Sequence, residues 1–136
     1  MFKINDDLSI SLTRGDTVSF DVTAKQGDVD YIFEDGDTIV FKVSEAKDAG
    51  AVLLKVSSVA KIKEGEPTTK VTVSLTDEQT ASLTGGTIIS KPVEFWYEIA
   101  LENDTRGKVR QTLIGYDEDG AKILRLFPEI GDMTQS

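Results

Sequence analysis

Strand-like alternation is densest between Pro92 and Leu101, where Val93, Phe95, Tyr97, Ile99 and Leu101 fall on one side and Glu94, Trp96, Glu98 and Ala100 on the other. A period of two over this length marks a half-buried strand. The segment holds the chain's one Trp together with a Tyr and a Phe, which predicts a place in the middle of a sheet with the aromatic side against the core. Shorter alternations precede it. Leu8, Ile10 and Leu12 give way at Arg14-Gly15-Asp16 to Val18, Phe20, Val22 and Ala24, and Glu34-Asp35-Gly36-Asp37 turns into Ile39, Phe41 and Val43. Lys47-Asp48-Ala49-Gly50 offers a hairpin loop into Val52, Leu54 and Val56, and Glu64-Gly65-Glu66-Pro67 breaks the chain before Val71, Val73 and Leu75. Lys25 to Asp30 reads as a loop. After the central strand, Val109, Gln111 and Leu113 form another alternation. Asp119-Gly120 is the strongest hairpin signal in the chain, joining that strand to one from Ala121 to Phe127.

One helical signal interrupts the strands. Thr76-Asp77-Glu78-Gln79 has the form of a capping box, with acidic residues at the positive end of the helix dipole, and Gly85-Gly86 stops it. A turn or two from Asp77 to Leu83 is too short for a core helix, so it reads as a connector from one sheet to the other. About eight strands spaced roughly ten residues apart, with one short helical turn, predict an all-β fold: a two-layer antiparallel β-sandwich. The 136 residues suit a single domain, 1–136, with flexible ends at 1–7 and 129–136.

Composition narrows the chemistry. There is no Cys, which removes disulfides and thiolates, and no His, which removes the commonest general base and metal ligand. Fifteen basic against 24 acidic residues give a net charge of -9, which argues against nucleic acid and against anionic membranes as partners. No apolar signal core or bilayer-length apolar run is present, so synthesis and retention in the cytosol are expected.

Candidate sites are few. Glu94 and Glu98 flank Trp96 and invite a glycosidase reading, but four residues along a strand separate their Cα atoms by roughly 13 Å, against about 5 to 9.5 Å for paired catalytic carboxyls. Trp96, on the polar side, needs a second layer, a loop, a ligand or another subunit over it. The acidic turns Asp35-Gly36-Asp37 and Asp117-Glu118-Asp119-Gly120 lack the spacing of a calcium loop and read as turns. Arg14-Gly15-Asp16 spells an integrin-ligand tripeptide, yet a Gly between charges is an ordinary strand junction. No metal and no cofactor is expected.

Leu8-Ser9-Ile10-Ser11-Leu12-Thr13-Arg14-Gly15-Asp16-Thr17, followed by Asp37-Thr38-Ile39-Val40-Phe41-Lys42-Val43, resembles small tail-associated proteins of prophages in Gram-positive bacteria. It is similar to the immunoglobulin-like N-terminal domain of phage upper baseplate proteins. Pro92 to Leu101, Thr112 to Asp117 and Leu126 to Glu129 resemble the same group, so the likeness spans most of the chain. The resemblance implies an immunoglobulin-like sandwich and a structural or adaptor role in a tail or baseplate. It also implies other tail proteins as partners, homo-oligomeric rings, and a place in the virion after assembly in the host cytoplasm. No enzymatic activity is expected. The residues assigned to an interface are Trp96 with Glu94 and Glu98, and Arg14 with Asp16 as an ordering ion pair or contact. The alternative is a carbohydrate-binding module contacting host cell-wall glycans, for which Tyr31, Phe33 and Tyr116 are the further aromatic candidates.

Overall fold

The computed structural model describes residues 2–45, 48–85, 87–105 and 107–129. Among these residues eleven strands and one helix follow in the order β1 (Phe2–Ile4), β2 (Ile10–Thr13), β3 (Val18–Val22), β4 (Lys25–Gln26), β5 (Val29–Asp30), β6 (Thr38–Glu45), β7 (Asp48–Val59), β8 (Val71–Leu75), α1 (Asp77–Ser82), β9 (Val93–Asn103), β10 (Val109–Ile114) and β11 (Lys122–Phe127). The fold is all-β in two unequal layers. A seven-stranded sheet runs β1-β2-β11-β9-β6-β7, with β10 also paired to β9, and the β3–β8 pair forms the second layer. Between them lie Ile10, Leu12, Ile39, Phe41, Val43, Phe95, Tyr97, Ile99, Leu124 and Leu126 from the large sheet, packed with Val18, Phe20, Val22, Val71, Val73 and Leu75 from the small one. Phe20 sets its ring edge-on to Phe41 across the layers, and Phe2 of β1 stacks on Phe20.

The segment of strongest alternation is the central strand. β9 pairs with β6 along one side and with β10 and β11 along the other. Its Phe95, Tyr97, Ile99 and Leu101 are buried, while Glu94 is exposed and Trp96 and Glu98 are half-buried. Chain crossings between layers fall at two of the expected breaks. The Arg14-Gly15-Asp16 turn takes the chain from β2 to β3, and α1 carries it from β8 to β9. The capping box forms as read: the Thr76 hydroxyl accepts from the Gln79 amide at 3.1 Å and the Gln79 side chain accepts from the Thr76 amide at 2.8 Å.

Four details differ from the sequence reading. β2 and β11 run parallel, a pairing that needs a long crossover between the two strands, here the whole run from β3 to β10. Lys25 to Asp30 forms a two-residue hairpin, β4–β5, closed by a Lys25–Asp30 ion pair. The β6–β7 hairpin turns earlier than expected: Asp48, Ala49 and Gly50, read as loop, already belong to β7, with Asp48 opposite Glu45, while Lys47 of the expected loop lies outside the described residues, as do residues 130–136 of the expected flexible end. Asp119-Gly120 does not join a hairpin. The turn exists, with the Gly120 amide donating to the Asp117 carbonyl at 2.9 Å and Gly120 at φ +98. However, β10 and β11 lie end to end along the same side of β9, with Ile114 opposite Ile99 and Lys122 opposite Tyr97. The turn therefore closes an excursion, 115–121, from a single line of pairing. The reason is registry: β9 is long enough to pair with both segments, and the intervening residues have no place in the ladder.

Candidate functional site: the outer face of the large sheet

The excursion shapes an aromatic site on the outer face. Gly115 lies so close to the sheet that a Cβ there would sit 2.9 Å from Thr112 Cγ2 and 3.3 Å from Glu98 Cγ. That approach puts the next residue, Tyr116, beside Trp96, with ring centroids 6.2 Å apart and planes inclined at 52°. Trp96 is half-buried, whereas Tyr116 is 76% exposed, so the two rings form an open V. A groove of about 410 Å³ runs past them and is bounded by Lys42, Ser44, Glu98, Arg110 and Lys122.

Its charged walls are mostly paired. The Arg110 guanidinium donates to Glu98 and lies 3.6 Å from a Glu102 oxygen. Lys122, 6% exposed, donates to Asp117 at 2.7 Å, and that hydrogen bond, with one from the Asp119 amide, holds the Asp117 carboxyl below its usual range. Along the same face Arg125 donates to Glu94, its Nε at 3.1 Å. Glu94 and Glu98 thus each stand against an arginine on a neighbouring strand.

The tripeptide at 14–16 lies elsewhere, docked on α1. Arg14 Nε donates to the Thr84 hydroxyl at 3.0 Å, the Gly15 amide donates to the Thr80 hydroxyl at 3.0 Å, and that hydroxyl donates to the Asp16 carbonyl at 2.9 Å. Gly15 is at φ +84 with the Glu129 carboxylate where a Cβ would stand, a backbone conformation that favours glycine. Arg14 and Asp16 are therefore far from the groove in connectivity, and the structure does not bring them to Trp96, Glu94 and Glu98. Tyr31 and Phe33 pack edge-on against each other and join the core, so of the three further aromatics only Tyr116 meets Trp96.

Two polar features escaped the sequence reading. Asp37, read as a turn residue, is fully buried. Its carboxylate accepts from Tyr31 Oη at 2.7 Å, the Glu34 amide at 2.7 Å and Asn103 Nδ2 at 2.7 Å. Asn103 Oδ1 in turn accepts from the Thr105 amide and hydroxyl. The network ties the turn before β6 to the end of β9. Tyr97 donates its phenol hydrogen to the Leu8 carbonyl, and burial, with the negative charge of Asp7 behind it, pushes that phenol up to about 12. Among the described residues no group of three or more carboxylates is placed to hold a metal ion.

No protein-family model matches the chain, and no curated protein or solved structure matches it.

Proposed function

We propose that this protein is a structural or adaptor component of a phage tail or baseplate, acting through protein–protein contacts with other copies and with neighbouring tail proteins. The observation that carries this reading is the state of the sheet edges. The seven-stranded order ends at β1 and β7, and exposed apolar side chains sit on both: Ile4 on β1, Leu53 and Val59 on β7. Terminal strands offer unpaired backbone groups to another chain unless they are protected, and apolar side chains along them favour such contact. The resemblance of Leu8–Thr17, Asp37–Val43 and the segments from Pro92 onward to prophage tail proteins supplies the setting. Trp96, Glu94 and Glu98, on the broad face between the edges, and Arg14 with Asp16, at the end near α1, are further contact candidates.

The edges are tested by placing a charge on them. Leu53→Lys with Val59→Lys, both at exposed positions, is expected to leave the fold intact and to remove a tagged chain from density-purified particles. Incorporation of the double variant at the wild-type level would contradict the edge assignment.

A second reading, a carbohydrate-binding module, is favoured by one specific observation: the V formed by Trp96 and Tyr116 above a groove with polar walls. Aromatic rings present a flat apolar face to the C–H face of a sugar while charged neighbours reach its hydroxyls.

A further inference from the structure

We infer that the groove beside Trp96 binds an acidic saccharide, with a pyranose ring held in the V between Trp96 and Tyr116 and its carboxylate or phosphate on Lys42. The inference rests on the second reading above and adds the charge of the ligand.

Three observations carry it. The groove, about 410 Å³, falls within the range of small-ligand sites. Next, Tyr116 makes its ring contact with Trp96 and otherwise stands in solvent at 76% exposure, on a segment fixed by the close approach of Gly115 and by the turn closed at Gly120. A large aromatic held in that position by its backbone, yet left uncovered, is a ready stacking surface.

The third observation is electrostatic. The charged residues bounding the groove are Lys42, Arg110, Lys122 and Glu98, and the three cations differ in whether a carboxylate holds them. Arg110 and Lys122 are engaged by Glu98 and Glu102 and by Asp117. Lys42 has no ion-pair partner among the described residues. Its two cross-strand neighbours are Lys55 on β7 and Glu98 on β9, and the Glu98 carboxylate is already occupied by Arg110. Like charges directly opposite each other on neighbouring strands cost stability. An anion at Lys42 relieves that repulsion, which a neutral sugar does not.

The sole tryptophan lies in the groove, so its emission reports binding directly. Titration with digalacturonate and with glucose 6-phosphate, each against maltose, separates a carboxylate from a phosphate and both from a neutral sugar. The expected result is a saturable change in Trp96 emission with at least one acidic sugar, with maltose weaker by about tenfold or more. Lys42→Gln should bring the acidic sugar down to the affinity of maltose, and Tyr116→Ala should abolish the response to all three; circular dichroism checks that each variant keeps the β fold. Equal affinity for maltose and the acidic sugars would overturn the inference while leaving the carbohydrate reading standing. Absence of any saturable response would overturn both. If Tyr116→Ala gave no loss of sugar response but prevented incorporation into particles, the face would be a protein contact and the inference would fail.

Discussion

Asp37 joins the turn before β6 to the end of β9. It is fully buried, and its two oxygens serve a phenol, a backbone amide and a side-chain amide at once. Removing an acceptor from buried donors costs far more than an average hydrogen bond contributes, because each donor loses water and partner together. Asp37→Ala is therefore expected to destabilise the protein by about 3 kcal/mol, read as a lower urea midpoint at unchanged slope. A change below about 0.5 kcal/mol, the range of ordinary surface substitutions, would mean that the network is not structural. Tyr97 makes the second residue-scale prediction. The unfolded chain releases a phenol proton near about pH 10, whereas the folded chain holds it to about 12. The folded pKa is the higher one, so the associated stability is complete below pH 10 and is lost as the pH rises through 12. Absorbance titration should show a phenolate transition near pH 12 that disappears in Tyr97→Phe, and the variant should lose less stability than wild type between pH 10 and 12. Identical titration curves for the two would contradict it.

Between elements, the sequence was most legible where a local rule has one structural outcome. Val93 to Leu101 alternates with a period of two and becomes the central strand, and Thr76 to Gln79 has the composition of a capping box and forms one. Thr76→Ala should cost about 1 kcal/mol by removing the acceptor for the Gln79 amide. Thr76→Ser should recover most of it; equal loss in both would show that the hydroxyl is not the cause. The Asp119-Gly120 signal was legible only in part. Asp and Gly specify a tight turn, but nothing in four residues states whether the flanking strands pair with each other or with a third strand. Here they line up on β9, and the excursion between them is what brings Tyr116 to Trp96. For the same reason the groove was not readable in advance: Trp96 and Tyr116 are twenty positions apart and meet through a pairing decided elsewhere in the sheet. Gly120 has φ +98 with open space where a Cβ would stand, so Gly120→Ala tests the backbone alone and should cost about 1 kcal/mol. Asp37 was misjudged because Asp-Gly-Asp is favoured in turns whether or not one carboxylate turns inward.

Over the whole molecule, charge and edges are distributed unevenly. The outer face of the large sheet carries Lys3, Lys42, Lys55, Arg110 and Arg125 against Glu94, Glu98 and Glu102 by strand register. With a net charge of -9 overall, the acidic excess lies on the other surfaces. Open strands at both ends of the large sheet are suited to ordered contact with neighbouring chains. The proposal of a tail or baseplate component is tested most directly by quantitative mass spectrometry of density-purified particles from an induced lysate of the source strain. The account predicts this chain at several copies per particle, in fixed ratio to the other tail proteins. Its absence from intact particles, with the chain present in the soluble fraction of the same lysate, would contradict it.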